Sequence, residues 1–261
     1  MKKNSFLKLG YPSPGFDSWI EYYFELDAQY SQQKIVSIIG IPAVNTLIGI
    51  NLGQTSWRSR NVATGKELTL SAIEFLGHTT NCFTGVYSHA ANVFYIKLKP
   101  GKFSKLFPYP AQSIENNQIQ VSDVFKSFSL EQFQSQPSFG ARIRWMENYL
   151  TGLTYRLMDL HKQHVIDQIL KKFNHSPFQG IDTIDKLCKD HHITYATLRR
   201  YFIDQIGVSP KFCQKTIKFK QALQAYRSYG YTFSYEDYGY SDFSHFCKDA
   251  KQLTGAAPSL L

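Results

Sequence analysis

The sequence predicts an α+β protein, β-rich toward its N-terminus and all-α toward its C-terminus, on three observations. The first 110 positions read as short strands, β-branched runs and one alternating stretch punctuated by glycine and proline. From about residue 137 the period lengthens to that of helices. Near the end, "DFSHFCKDAKQLTGAAP" (242–258) repeats "TYATLRRYFIDQIGVSP" (194–210) at a constant offset of 48. Leu198 falls on Phe246, Arg200 on Lys248, Gly207 on Gly255 and Pro210 on Pro258. Two helical stretches that end in the same Gly-x-x-Pro punctuation indicate one small unit used twice.

The N-terminal elements come first. "KIVSIIGIPAVNTLIGINLG" holds two β-branched runs separated by Pro42, with Gly40, Gly49 and Gly53 at the bends. "NVFYIKL" alternates Val93, Tyr95 and Lys97 against Phe94, Ile96 and Leu98, the pattern of a half-buried strand, and "KPG" stops it. Antiparallel strands curling into a small barrel or sandwich close such a set.

Ile143, Met146, Leu150, Leu153 and Leu157 then form one stripe on a long helix, which either packs on the barrel or pairs with a second copy of itself. Val165, Ile166, Ile169, Leu170 and Phe173 continue helically until "NHSPFQG" breaks the pattern at Pro177 and Gly180. The domain boundary is placed near residue 160, giving 1–160 and 161–261.

In the first repeated unit, Asp182 or Thr183 caps a short helix with Ile184, Leu187 and Cys188 inward, and "HHI" turns the chain. Thr194 caps a second helix with Leu198, Phe202 and Ile206 on one face, and Gly207 ends it. This is a helix-turn-helix. A helix about 10–12 Å across fits a major groove about 12 Å wide. Arg199 and Arg200 then lie where a two-pronged contact to guanine is feasible, against the plain alternative of a solvated helix face.

Composition narrows the partners. The chain has 261 residues, 43% hydrophobic and 15% aromatic, enough for a core. Its net charge of +9 favours polyanions. Residues 1–160 carry 15 basic and 11 acidic side chains and residues 161–261 carry 14 and 9, so the shorter part is the more basic per residue. Cys82, Cys188, Cys213 and Cys247 form no C-x-x-C pair and are expected as free thiols in a reducing compartment. Lys8 and Pro12 interrupt the first apolar run, and no 18-residue apolar span occurs, so a cytoplasmic protein without a membrane partner is expected.

Residues 181–258 resemble the paired helix-turn-helix domain of the AraC/XylS family of bacterial transcription regulators. The resemblance is carried by "LCKDHHITYATLRRYFIDQIGVSPKF", the linker helix "IKFKQALQAY" and "GYSDFSHFCKDAKQLTGAAPS". "GIPAVNTLIGINLG" and "FYIKLKPGKFSKLFPYPAQSIENNQIQVSDVF" are similar to the cupin-like sensor domain of one branch of the family. The resemblance implies two units on a rigid helix, reading successive major grooves of double-stranded DNA. It also implies a small-molecule effector or self-association for the N-terminal domain, with RNA polymerase and a second copy as further partners.

Carried over residue by residue, the base-reading positions fall on Ala196, Arg199 and Arg200 in the first unit, with Thr194, Tyr195 and Thr197 beside them. In the second unit they fall on Phe243, Ser244, Cys247 and Lys248. There the sequence departs from the family. Ala250 stands where the first unit has Phe202, a loss of about 3–5 kcal/mol of packing if nothing refills the space. Thr183 to Thr194 spans 11 residues but Ser234 to Asp242 only 8, so the second scaffold helix lacks most of a turn. Tyr229, Tyr231, Phe233, Tyr235, Tyr238 and Tyr240 either fill that gap or form a stacking platform, or the second unit docks poorly. The first unit is therefore expected to carry most of the sequence reading.

Other chemistry finds no support. His78, His89 and Cys82 lack the spacing of a cupin metal site. No phosphate loop, Gly-x-Ser-x-Gly or Gly-x-Gly-x-x-Gly stretch is present, and no cofactor or catalytic residue is expected. Two rival readings remain: a protein-interaction module whose degenerate second unit no longer binds DNA, and a small-molecule-binding barrel with a helical accessory domain.

Overall fold

The computed structural model describes residues 5–55, 57–107, 109–121, 124–153, 159–174 and 183–261, the side chains of Lys105 and Tyr231 excepted. Strands come first: β1 (Leu7–Gly10), β2 (Ile20–Asp27), β3 (Ile35–Gly40), β4 (Thr46–Asn51), β5 (Trp57–Asn61), β6 (Glu67–Leu70), β7 (Ile73–Leu76), β8 (Phe83–Ser88), β9 (Asn92–Leu98) and β10 (Gln118–Gln120). Helices follow: α1 (Leu130–Gln134), α2 (Phe139–Thr151), α3 (Leu160–Phe173), α4 (Ile184–Asp190), α5 (Tyr195–Gln205), α6 (Pro210–Tyr229) and α7 (Phe243–Thr254). The fold is α+β, a β-rich N-terminal domain followed by a helical one.

The strands form two antiparallel sheets, β1-β2-β9-β4-β7-β10 and β3-β8-β5-β6. The two runs flanking Pro42 are β3 and β4, and they lie in different sheets. "NVFYIKL" departs from its expected half-burial. As β9 it lies between β2 and β4, and five of its seven residues are buried. Its alternate faces serve two cores. Val93 and Tyr95 join the cluster of Leu26, Trp57, Leu70 and Tyr87, while Phe94, Ile96 and Leu98 join Tyr23, Phe75, Phe103 and the helices.

The stripe on α2 belongs to this second core. Met146 and Leu150 are fully buried there and Ile143 and Leu153 pack against it, so these four residues of the stripe pack on the β domain. Leu157, like Asp182, Pro177 and Gly180, lies outside the described residues. Helix α3, capped by Asp159, instead buries Val165, Ile166, Ile169, Leu170 and Phe173 with α4, α5 and α6. Among the described residues, Val44 of the β domain shares that helical core.

The short scaffold of the second unit is a single 3-10 turn, Glu236–Tyr238. It starts at Tyr235 without a side-chain cap, so Ser234 does not act as one. Beneath it the space opposite Ala250 is filled: Phe233, Tyr240 and Phe246 are buried, with Phe233 and Phe246 ring centroids 5.2 Å apart. These rings are core and not a stacking platform. Tyr229, 65% exposed, takes no part.

Candidate nucleic-acid interface

Local chemistry builds the first unit. The Thr183 hydroxyl accepts from the Lys186 amide at 3.2 Å and starts α4. His192 at φ +51° reverses the chain, and the Thr194 hydroxyl accepts from the Thr197 amide at 3.2 Å to start α5. Gly207, at φ +92°, donates its amide N–H to the Phe202 and Ile203 carbonyls and ends the helix. Ser209 then caps α6 with Pro210 in its first turn.

With Leu198, Phe202 and Ile206 buried, the opposite face of α5 stays in solvent. Thr194, Ala196, Arg199 and Arg200 are exposed, and Thr197 is partly so. Neither arginine makes a hydrogen bond or ion pair among the described residues. Tyr195 is partly buried against the helical core, and Lys211 of α6 sits 5.6 Å over its ring, which adds a cation beside the helix N-terminus.

The second unit presents less. Asp242 accepts from the His245 amide at 2.7 Å and caps α7. Ser244 and Lys248 are exposed and Cys247 partly buried. Phe243 is 43% exposed, its ring 5.9 Å from Tyr226 and 5.8 Å from Phe246, so it lies half against its own core. Two lysines of the linking helix are engaged internally: Lys215 pairs with Asp249 at 2.9 Å, and Lys218 lies 3.7 Å over the Tyr240 ring. Burial lowers the Lys218 ammonium, with Asp249 opposing.

A second feature escaped the sequence reading. Between β1, β2 and β9 on one side and α3 and α6 on the other runs a cleft of about 1540 Å³. It is lined by Tyr22, Lys97 and Lys99 of the β domain and by Lys171, Lys220 and Arg227 of the helices. An apolar chamber of about 260 Å³, walled by Trp57, Phe83, Tyr87 and Tyr95, lies beside it. The two share Phe24, Leu26, Ile38, Ile41, Asn45 and Lys97. Burial pulls Lys220 down to about 8, the Lys97 charge adding to the effect and Glu21 opposing it. Lys97 is itself desolvated, but Glu21 and the Tyr22 hydroxyl outweigh that and raise it. The one legible signal was Lys97, a charge inside an apolar strand.

His78 and Cys82, weighed as metal ligands, are both buried. Burial lowers His78 to about 4, with Glu115 opposing, and raises Cys82 to about 11. No helix among the described residues is long and apolar enough to cross a membrane.

The model of a domain of unknown function (DUF6597) matches residues 11–120. No curated protein matches the chain. Among solved structures, ToxT from Vibrio cholerae strain SCE256 bound to an unsaturated fatty acid is 12% identical, covering 100% of this chain and 96% of that one, at a TM-score of 0.47. ToxT from Vibrio cholerae O395 bound to (E)-4-(8-methylnaphthalen-1-yl)but-3-enoic acid is 11% identical, covering 98% of each chain, at a TM-score of 0.48. The AraC-like transcriptional activator CuxR is 10% identical, covering 85% of this chain and 87% of that one, at a TM-score of 0.28.

Proposed function

We propose that the chain is a sequence-specific regulator of transcription that binds double-stranded DNA and responds to a small molecule held between its domains. The observation that carries the DNA reading is the solvent face of α5. A Thr194-capped N-terminus, Ala196 and two exposed guanidinium groups at Arg199 and Arg200 project from a helix whose other face is fixed in the core. Such a helix presents side chains to base edges while basic residues around it meet phosphates. Residues 161–261 would act as the DNA-binding part and residues 1–160 as the sensor. Arg199 and Arg200 take the larger share of base discrimination, because Phe243 is half withdrawn and Ser244 and Cys247 offer short side chains.

The effector reading rests on the cleft. The Lys97 and Lys220 ammonium groups stand at its wall, and the apolar chamber adjoins Lys97. A cationic mouth beside an apolar chamber suits an amphipathic anion, such as a carboxylate with a hydrocarbon tail.

Selection from random duplex DNA at two salt concentrations tests the first reading. The expected result is a recurring site bound with steep salt dependence, and loss of site preference in the Arg199→Ala/Arg200→Ala variant with residual non-specific binding. Loss of preference on Lys248→Ala, with the double variant unaffected, would overturn the assignment to the first unit. Failure to bind any duplex at either salt concentration would favour the protein-interaction alternative, for which the scaffold of the second unit, cut to one 3-10 turn, is the supporting observation.

A further inference from the structure

The C-terminal end of α5 is held from outside the helical domain. Ser104 Oγ donates to Gln205 Oε1 at 2.9 Å. A β-carbon on Gly101 would lie 3.6 Å from Ile206 Cγ1 and 3.9 Å from the Gln205 carbonyl oxygen. One on Gly207 would lie 2.2 Å from His78 Cε1 and 2.9 Å from the Ala111 carbonyl oxygen. The last residues of the helix therefore sit in direct contact with three separate β-domain segments, around positions 78, 101–104 and 111. Close by, Lys102 Nζ donates to both carboxylate oxygens of Asp167 on α3 at 2.7 Å.

The second unit has a lighter attachment. From the β domain its core meets Ile41, a partly buried side chain on the loop after β3. Among the described residues α7 packs otherwise on α6, through Phe219, Leu223, Tyr226 and the Lys215–Asp249 pair, and on Phe233 and Tyr240 of the segment before it. The segment that grips α5 also leads out of the cleft, since Lys97, Lys99, Pro100 and Lys102 line it.

We propose that His78, Ser104 and Lys102 are positioning residues that aim the first reading helix, and that the β domain acts on α5 and not on α7. The proposal rests on α5 being a DNA reader, and it deepens that reading by naming which unit the sensor controls. Packed interfaces of this kind shift between discrete arrangements and do not deform continuously, so a rearrangement of residues 97–104 is passed on to Gln205–Gly207 as a change in helix direction.

The test compares the full chain with Ser104→Ala/Gln205→Ala, with His78→Ala, and with Lys102→Met beside Lys102→Arg. Amide hydrogen exchange is read over 196–206 and over 244–254, without DNA or ligand. Exchange over 196–206 is expected to rise tenfold or more in Ser104→Ala/Gln205→Ala, in His78→Ala and in Lys102→Met, with 244–254 within twofold of the parent and with Lys102→Arg restoring protection. The paired removal at 104 and 205 leaves no buried partner stranded, so it keeps the test open should His78→Ala fold poorly. A parallel rise in both helices, or no rise in either, would overturn the proposal. In the same variants, site selection is expected to relax at the bases read by α5 and to hold at those read by α7. A parent chain that binds no duplex would remove the DNA reading, while the exchange pattern would still decide whether the β domain holds α5 alone.

Discussion

Lys97 Nζ lies 2.9 Å from Glu21 Oε1 and 3.1 Å from the Tyr22 hydroxyl, so the cation at the mouth of the apolar chamber is already paired within its own sheet. An incoming anion must compete with Glu21 for it, whereas Lys220 offers charge from the opposite wall. Glu21→Gln is therefore expected to strengthen binding of laurate several-fold, and Lys97→Met to weaken it tenfold or more, both read by calorimetry. Because Lys220 titrates near 8, its charge is present below that pH and lost above it. Laurate affinity should fall as pH rises through 8, and binding at pH 8 should take up protons. An affinity flat from pH 7 to 9 would remove Lys220 from the site.

Gly207 and Gly255 close the two reading helices in the same left-handed conformation, at φ +92° and +77°. Their surroundings differ. A β-carbon at 255 would meet nothing within 4 Å, whereas one at 207 would strike the His78 ring and the Ala111 carbonyl. Gly255→Ala should cost about 1–2 kcal/mol, the penalty of an L-residue in that conformation. Gly207→Ala should cost clearly more, because the backbone penalty adds to a clash with the β domain. Denaturant unfolding of the two variants checks the order; equal costs would mean that the contact at His78 yields freely.

These two glycines also show what the sequence could and could not convey. Their equivalence was legible, because a capped helix, an apolar stripe and a terminating glycine are local signals repeated at a fixed offset. So were the helical burial of Leu198, Phe202 and Ile206 and the exposure of Arg199 and Arg200. What was not legible depends on chain segments far apart in sequence. The Gly207–His78 contact joins residues 129 positions apart, and the cleft joins Lys97 to Lys220. The two-sided burial of β9 follows from its place between β2 and β4, which alternation within one strand cannot specify.

Ala250 makes the same point energetically. Its smallness looks like a lost contact beside Phe202, yet it is fully buried against a core that Phe233, Tyr240 and Phe246 complete from the shortened scaffold and from α7 itself. Restoring bulk should therefore harm the protein. Ala250→Phe is expected to destabilise by about 1–3 kcal/mol, as overpacking does, and not to recover the packing of the first unit. A rise in Tm would show that a hole exists there after all.

His78 supplies the last expectation. Its ring is 1% exposed and neither nitrogen has a hydrogen-bond partner among the described residues; Glu115 Oε2, at 3.9 Å from Nε2, only partly offsets the burial. Desolvation holds the imidazole near 4, below its usual 6.5. The unfolded chain binds the proton first as pH falls, so the stability that depends on a neutral His78 is complete above about 6.5 and drains away toward 4. The full span is about 3 kcal/mol. In urea titrations across that window, the parent should lose stability relative to His78→Gln, with the two curves parallel above pH 7. Because the ring is wedged against the end of α5, acid should also raise amide exchange over 196–206 ahead of global unfolding. Parallel curves from pH 7 to 4 would show that the imidazole takes its proton without leaving the contact.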